Sequence, residues 1–355
     1  MLKLKDTIRN IGDWKTINND LIYVTDNDIY RYNEGEIILE LNEYWGVDFL
    51  PEFFNVFTNR SFNTFYSYEG ELIKSYDGIN FYHIFSKRDF IYYDRKSKTT
   101  KYNGLKLIDS KLGLSFLHLQ NIFSFQSSSI ISINYKKGIK CWQFSFIELG
   151  EHQTPYGETK PYEVRQFIGI YKNIVWVQLN YDGLLGIHIN TGELSHWFKG
   201  VKKENLVGNV DSYIDTNEHY IFYNTEFLLS NNKIIGLAAD RFYEINLDSE
   251  NIQPKLYGLW DKMEILGVKK GNIGYNPRLQ NNQLYFMLYD QLKFGTIDIL
   301  SKEIIYVSEA IEITCAKNSR NQLRDIKVNG DKVYIHDSEN TLHIFERENI
   351  DNAMS

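Results

Sequence analysis

The sequence contains little cysteine and little proline. Only two Cys residues, Cys141 and Cys315, occur in 355 residues, so disulfides do not organise the fold. We expect both to be reduced and to fill space as small apolar side chains, because a disulfide between distant strands needs a particular geometry. The five Pro residues are scattered, and no Pro-, Gly- or Ser-rich linker occurs. We therefore expect one domain over residues 1–355, although length alone suggests two or three.

Long apolar runs and an excess of basic residues are also absent. The first ten residues, MLKLKDTIRN, contain no apolar signal region, and no stretch approaches the roughly 18 apolar residues of a membrane span. We expect a cytoplasmic protein that does not enter a membrane. The 46 acidic and 39 basic residues give a net charge of −7, which repels phosphate backbones. Nucleic acid is therefore not an expected partner.

Catalytic and metal-binding motifs are missing as well. The eight His residues include no His-x-x-x-His or His-Glu-x-x-His spacing. There is no Gly-x-Ser-x-Gly nucleophile turn and no phosphate-binding Gly loop. The sequence predicts no metal site and no catalytic residue of these kinds.

What the sequence does contain is many aromatic residues and regularly repeated hairpins. Tyr, Phe and Trp make up 15% of the residues and favour pleated, half-buried strands. Pairs of alternating apolar segments separated by turn residues begin at Leu21, Phe81, Ile130, Ile174, Ile234, Leu284 and Val333. Their spacing of about fifty residues is typical of β-propellers. The sequence therefore predicts an all-β fold: a single propeller of seven four-stranded blades.

The two ends of the chain predict how the propeller closes. The last unit has three strands, and the alternating segment Leu2–Ile8 can supply the fourth by pairing with the strand around Leu342–Phe345. Residues 349–355 are expected to form a frayed tail. The region from Tyr44 to Tyr76 is long for a single connection and has room for a further hairpin.

One hairpin carries a recognisable motif. Gly183, the turn Thr191-Gly192-Glu193 and Trp197 follow one another on alternating strands. This order resembles the repeat of the quinoprotein-like (PQQ-like) propeller families. The chain as a whole also resembles WD40-like propellers, but the Gly-His and Trp-Asp marks of WD40 repeats are absent. The resemblance implies a structural motif in which the Trp packs between blades, so we expect Trp176 and Trp197 to be largely buried. It implies no cofactor, because the calcium cluster of the true quinone enzymes has no equivalent here.

Acidic residues near successive hairpin turns are the best enzymatic candidates. They are Asp26, Asp94, Asp182, Asp240, Asp290 and Asp337. Because Asp is also a preferred turn residue, a structural role competes with an acidic ring that would serve a hydrolase or lyase acting on a small or carbohydrate substrate. Convergence of the carboxylates in one pocket would favour the enzyme.

Two irregular segments, Glu148–Tyr162 and Leu259–Pro277, interrupt the repeat. Loops on a scaffold often carry function, and Tyr, Trp and Arg are favoured interface anchors. The candidate partner-binding residues are Tyr156, Tyr162, Trp260, Tyr275 and Arg278. The sequence thus favours a non-enzymatic propeller that binds another protein, for example as an intracellular inhibitor or immunity protein. The alternatives are the carboxylate enzyme and a structural scaffold subunit.

Overall fold

The computed structural model is built almost entirely from β-strands. It describes residues 2–17, 19–41, 44–58, 62–153, 157–180, 183–208, 210, 219–220, 222, 225–268, 277–288, 291–313 and 322–347. The helical elements within these ranges are short: α1 (Trp260–Ile265) and the 3-10 turns Phe146–Leu149 and Lys203–Asn205. None of the helices in these ranges has the length and apolar character needed to cross a membrane.

The strands form sheets of four, which we number as blades in chain order. The chain begins with β1 (Leu2–Ile8). Blade 1 contains β2 (Asp13–Ile17), β3 (Asp20–Val24), β4 (Asp28–Arg31) and β5 (Glu36–Glu40). Blade 2 contains β6 (Gly46–Phe49), β7 (Phe54–Phe57), β8 (Asn63–Tyr66) and β9 (Leu72–Tyr76). Blade 3 contains β10 (Ile79–Ser86), β11 (Asp89–Asp94), β12 (Thr99–Tyr102) and β13 (Leu105–Ile108). Blade 4 contains β14 (Ser115–His118), β15 (Asn121–Gln126), β16 (Ser129–Asn134) and β17 (Ile139–Ser145). A separate hairpin of β18 (Glu151–Gln153) and β19 (Thr159–Pro161) follows. Blade 5 contains β20 (Val164–Tyr171), β21 (Ile174–Leu179), β22 (Gly183–His188) and β23 (Leu194–Phe198).

Three further blades complete the fold. Short strands β24 (Val201–Lys202), β25 (Leu206–Val207) and β26 (His219–Tyr220) precede them. Blade 6 contains β27 (Glu226–Ser230), β28 (Lys233–Ala238), β29 (Arg241–Asn246) and β30 (Pro254–Gly258), and β25 pairs in parallel with β30. Blade 7 contains β31 (Arg278–Gln280), β32 (Gln283–Leu288), β33 (Lys293–Asp298) and β34 (Glu303–Val307). Blade 8 combines β35 (Leu323–Asn329), β36 (Lys332–Asp337) and β37 (Leu342–Arg347) with β1.

The fold has eight blades, so the predicted seven is wrong. Each of the seven predicted hairpins corresponds to two adjacent strands, but blade 2 was missed. Its strands β6, β7 and β8 are only four residues long, and the first three residues of β7 and of β8 are buried. A short strand buried on both faces shows no alternation, so periodicity does not reveal it. The missed blade lies between Tyr44 and Tyr76, the region identified as long enough for a further hairpin.

The predicted pairing of the first strand with the last blade is confirmed. β1 runs antiparallel to β37, with Leu2 opposite Arg347 and Ile8 opposite Leu342. The register shifts between Leu4 and Asp6, which is the mark of a β-bulge. The proposed tail at residues 349–355 lies outside the described residues, as does Cys315, while Cys141 is a free, exposed thiol.

The chain forms two compact units. The first contains residues 12–180 and 185–197 and includes blades 1 to 4 and most of blade 5; the second contains residues 1–11, 181–184 and 198–355 and includes blades 6 to 8. Within each unit the apolar core lies between the faces of neighbouring blades. In the second unit, for example, Phe294 of blade 7 meets Phe345 of blade 8 with ring centroids 4.9 Å apart.

The motif of blade 5 is structural, as its resemblance implied. Thr191-Gly192-Glu193 turns the chain between β22 and β23, and Gly192 has φ +78°. A Cβ atom at Gly192 would lie 2.8 Å from the ring of Trp142 in blade 4, so glycine is required for both reasons. Trp176 is fully buried as expected, whereas Trp197 is only half-buried, with its ring edge-on to Tyr162.

Candidate functional site

The five candidate anchors do not form one surface. Tyr156 and Tyr275 lie outside the described residues. Tyr162 is a core residue rather than an exposed interface residue, because only 3% of it is exposed. Its ring packs against that of Trp197, with the ring centroids 5.2 Å apart. Trp260 begins α1 and packs, half-buried, on the core between blades 6 and 7.

Arg278 joins three blades through their first strands. Its Nη2 atom lies 3.1 Å from Asp325 Oδ1 on β35, and its Nη1 atom lies 3.9 Å from Glu226 Oε1 on β27. Arg278 is itself on β31, and about a third of its side chain is exposed. These ion pairs hold the guanidinium against neighbouring blades.

We expect Arg278→Ala to lower the free energy of unfolding by about 1 kcal/mol or less, since partly exposed ion pairs contribute little. Urea titration of the variant measures this loss. A loss well above about 2 kcal/mol would show that the ion pairs of Arg278 with Asp325 and Glu226 contribute strongly to the stability of the second unit.

Asp94, one of the predicted acidic residues, behaves as a turn residue. Asp94 accepts hydrogen bonds from Lys101 Nζ at 2.6 Å and from the backbone of Lys96, and the Lys101 contact is the main reason that its pKa is lowered. Asp26, Asp94, Asp240 and Asp337 lie in four different blades, while Asp182 and Asp290 lie outside the described residues. Among the residues that the structure describes, no three His, Cys, Asp or Glu side chains are placed to hold a metal ion.

A large open groove lies in the second unit, between β34 of blade 7 and β1 of blade 8. Its volume is about 1010 Å³, and none of the four described Asp residues of the predicted acidic set lines it. Leu2 and Leu4 line one side, and Ile304 and Ile305 line the other. We call this feature the blade 7–8 groove.

The sequence builds the walls of the groove from two outer strands. β1 reads Leu-Lys-Leu-Lys-Asp-Thr-Ile, and its Leu4 side chain is 55% exposed even though β1 is paired along β37. On β34, the register against β33 shifts between Ile304 and Tyr306, so Ile305 lies opposite no residue of β33 and marks a β-bulge. Ile305 is 50% exposed in consequence. Leu4 and Ile305 therefore present exposed apolar surface to the groove, whereas Leu2 and Ile304 pack partly on the cores of neighbouring blades.

The floor of the groove is rigid. Tyr306 OH donates a hydrogen bond to the carbonyl oxygen of Leu2 at 3.3 Å, which ties β34 to β1. Beneath it, the ring centroid of Phe294 lies 5.8 Å from that of Tyr306 and 4.9 Å from that of Phe345. Burial, and to a lesser extent the charge of Glu309, raises the pKa of Tyr306, so its hydroxyl stays neutral and able to donate.

Charged residues at the edges of the groove are arranged by sign. Lys3 and Arg9 lie on the β1 side, and Glu309 and Glu312 lie on the loop that follows β34. The start of that loop is tied to blade 7, because Ser308 Oγ accepts a hydrogen bond from the Phe294 backbone at 3.0 Å and donates one to the Glu309 carbonyl at 2.8 Å. An apolar centre with a charged rim is the usual arrangement of a protein interface.

The irregular segment Leu259–Pro277 contributes to the groove through Leu266. Lys262 Nζ donates hydrogen bonds to Glu303 Oε1 at 2.6 Å and to the Lys302 carbonyl at 2.9 Å, which anchors α1 to β34. Leu266, at the end of α1, then lines the groove and is 41% exposed. Sequence reasoning selected this segment but expected the aromatic residues, rather than Leu266, to be displayed.

Comparison with solved structures places the chain among β-propellers. It is similar to the C-terminal WD40 domain of Sif2 (TM-score 0.60, 11% identity, covering 98% of this chain and 99% of that one), to BamB from Moraxella catarrhalis (0.58, 11%, 98% of both) and to Sqt1 from Saccharomyces cerevisiae (0.56, 12%, 98% of both). No protein-family model and no curated protein sequence matches the chain. At these identities the likeness shows the fold alone, and it confirms the predicted β-propeller.

Proposed function

We propose that the protein is a non-enzymatic binding propeller and that the blade 7–8 groove receives a segment of another protein. The exposed apolar side chains of Leu4, Ile305 and Leu266 on the walls of one cavity carry this proposal. Clustered exposed apolar side chains bordered by charge are typical of interaction sites, whereas single ones are not. A partner segment with two or three apolar side chains and charges of both signs fits the groove.

A narrower form of the proposal is an intracellular inhibitor, such as an immunity protein acting in the cytoplasm. The net charge of −7 supports it, because an acidic surface steers a basic partner toward binding. Under this form, binding slows as ionic strength rises. The apolar groove would supply the contacts that hold the complex once it has formed.

The experiment uses a photo-crosslinking amino acid, benzoylphenylalanine, at Ile305 in the full chain expressed in cells. The matched control places it at Leu72, which is 65% exposed on β9, the outer strand of blade 2. We expect a protein to be captured from position 305 and not from position 72. Equal capture at the two positions would contradict the groove as the interface.

The captured partner then allows affinity to be measured. We expect Leu4→Asp and Ile305→Asp each to weaken binding by about tenfold or more, because a charge replaces an apolar contact in a desolvated centre. Leu72→Asp should leave the Kd unchanged, and all three variants should melt within a few degrees of the wild type. Undiminished binding by both groove variants would overturn the proposal.

A further inference from the structure

Blades 3 and 4 are basic, although the protein as a whole is acidic. Residues 79–145, which form these two blades, contain eleven Lys and Arg residues and three Asp residues, a net charge of +8. Because the whole chain carries −7, the remaining residues carry −15. Charge is therefore separated along the chain, and blades 3 and 4 attract anionic groups that the rest of the protein repels.

Four turns at one edge of these blades form a single surface. In a sheet of four antiparallel strands that follow in chain order, the turn after the first strand and the turn after the third lie at the same edge. At this edge blade 3 has the turns 87–88 and 103–104, and blade 4 has the turns 119–120 and 135–138. Lys136 Nζ of blade 4 lies 3.7 Å from Asp89 Oδ2 of blade 3, which joins the two sets of turns. We call this feature the basic turn surface.

Aromatic packing holds the turns in place. Tyr135 is 5% exposed, and its ring stacks on that of Phe85 with the centroids 5.4 Å apart. The centroid of the Tyr102 ring lies 4.9 Å from that of Tyr135. Tyr135 OH donates a hydrogen bond to the carbonyl oxygen of Leu119 at 3.2 Å, which ties two turns of blade 4 together. A partner that binds this surface therefore does not have to order it first.

Apolar side chains are exposed on the basic turn surface. Leu119, at the tip of the β14–β15 hairpin, is 77% exposed, and Leu105 and Ile139 are 42% and 52% exposed. Leu105 lies close to the β16–β17 turn, because a Cβ atom added at Gly138 would be 3.3 Å from its Cγ atom. Leu119 has φ +52°, a conformation that favours Gly or Asn. The stability of the hairpin does not account for an exposed leucine in that conformation, whereas contact with a partner does.

Three cations on the same surface are available to a ligand. Lys87 and Arg88 form the β10–β11 turn, Lys137 lies in the β16–β17 turn, and all three are exposed. Lys136, by contrast, is engaged by its ion pair with blade 3 and by the Tyr102 hydroxyl, to which it donates a hydrogen bond. Within the part of the chain that the structure describes, no acidic side chain pairs with the charged ends of the other three.

We infer that the basic turn surface binds an acidic segment of another protein that also carries apolar side chains. Carboxylates of the segment pair with the three available cations. Its apolar side chains cover the exposed leucines and isoleucine between them. Because the charge attraction is screened by salt, binding weakens as ionic strength rises.

A protein segment fits this surface better than a nucleic acid or a membrane does. Single-stranded nucleic acids stack their bases on exposed aromatic rings, whereas the most exposed apolar side chains here, Leu119 and Ile139, are aliphatic. The corresponding turns of the adjacent blade 2 carry Glu52, Glu69 and Glu71, all exposed. An anionic membrane that covered both blades would meet these carboxylates, but a peptide can be confined to blades 3 and 4.

The inference does not rest on the proposed function. The basic turn surface belongs to the first unit, whereas the blade 7–8 groove is built by residues of the second. The groove variant Leu4→Asp is therefore expected to bind an acidic segment normally. A failure of either proposal can be recognised without reference to the other.

The probe is a fluorescently labelled peptide in which Glu-Leu-Asp is repeated three times, titrated with the full-length protein and followed by anisotropy. We expect a Kd of about 100 μM or tighter. One control peptide has Gln and Asn in place of Glu and Asp, and another has Ser in place of Leu; each should bind at least about tenfold more weakly. Vesicles of phosphatidylserine and phosphatidylcholine and a single-stranded oligothymidylate are titrated in parallel. Tighter binding of either one than of the peptide would contradict a protein segment as the ligand.

Two variants test the cations and the apolar contact separately. Lys87→Gln combined with Lys137→Gln removes two charges and keeps the length of both side chains, and we expect it to weaken binding of the peptide by about tenfold or more. Leu119→Asn removes the exposed apolar side chain and introduces a residue that suits φ +52°, so the hairpin is retained. We expect this variant to weaken binding by about fivefold or more.

The matched controls make the same changes elsewhere on blades 3 and 4. Lys96→Gln combined with Lys98→Gln removes two charges from the exposed β11–β12 turn, at the opposite edge of blade 3. Ile147→Asn changes an 82% exposed residue in the 3-10 turn that follows β17. Both controls should bind the peptide like the wild type. The inference is overturned if the peptide does not bind, if the controls weaken binding as much as the test variants do, or if both test variants bind normally.

Discussion

Trp176→Ala is expected to lower the free energy of unfolding by about 3–5 kcal/mol, the usual cost of removing a large aromatic side chain from a core. Trp176 is 1% exposed on β21. The indole ring packs over Gly186 of β22, so closely that a Cβ atom added at Gly186 would lie 3.2 Å from a ring carbon. The centroid of the indole ring lies 5.3 Å from that of the His196 ring. The neighbouring strands are held by their ladders and cannot collapse into the space that the indole leaves.

Trp197→Ala is the matched comparison, because it removes the same side chain from the same blade. Trp197 packs against the core of blades 4 and 5 with its ring edge-on to Tyr162, but it is only half-buried, so we expect a smaller loss of about 1–3 kcal/mol. Urea titrations of the two variants, followed by far-UV circular dichroism, give both values. A larger loss for Trp197 than for Trp176 would reverse the roles assigned to the two residues.

The fold could be predicted where strands are long and have one face in a core. The β36–β37 hairpin and the closing strand β1 show the alternation and the turn residues that periodicity detects. Blade 2 could not be found this way, because β7 (Phe-Asn-Val-Phe) buries consecutive residues. The number of blades predicted from the repeat length was therefore one too low.

The candidate sites show a different limit. Arg278 was selected as a displayed anchor, yet the structure places it between Glu226 and Asp325, residues 52 and 47 positions away that only folding brings together. The walls of the groove likewise come from β1 and β34, whose contacting residues Leu2 and Tyr306 are 304 positions apart. A sequence indicates the character of each strand but not which outer strands face one another.

Removing the buried carboxylate of Asp337 is expected to cost about as much as removing Trp176. Asp337 is 1% exposed, and its Oδ2 atom lies 2.8 Å from Nε2 of His343, itself 4% exposed. Its Oδ1 atom accepts hydrogen bonds from the backbone of Glu339 at 2.8 Å and of Thr341 at 3.0 Å. Asp337→Ala leaves the buried His343 and the two part-buried backbone N–H groups without this acceptor, so we expect a loss of about 3–5 kcal/mol.

Asp298→Ala is the control for the turn alone. Asp298 accepts the same kind of backbone hydrogen bonds, from Leu300 at 3.0 Å and Ser301 at 2.8 Å, but its turn is exposed to solvent. We expect its loss to be about 1 kcal/mol, the usual cost of removing a side-chain acceptor from a local turn. Equal losses for the two variants would show that the buried pair with His343 adds nothing.

The effect of Asp337 should also depend on pH. Burial alone would raise the pKa of Asp337, but the hydrogen bonds from His343, Thr341 and Glu339 outweigh it and lower the pKa in the folded state. A lowered pKa means that the stabilisation is complete above the unfolded value of about 3.9 and is lost as pH falls through the folded value. The difference in unfolding free energy between wild type and Asp337→Ala should therefore be constant from pH 7 to 5 and shrink below about pH 4. A difference that stays constant to pH 3, or that grows, would mean that ionised Asp337 is not the species that stabilises the last blade.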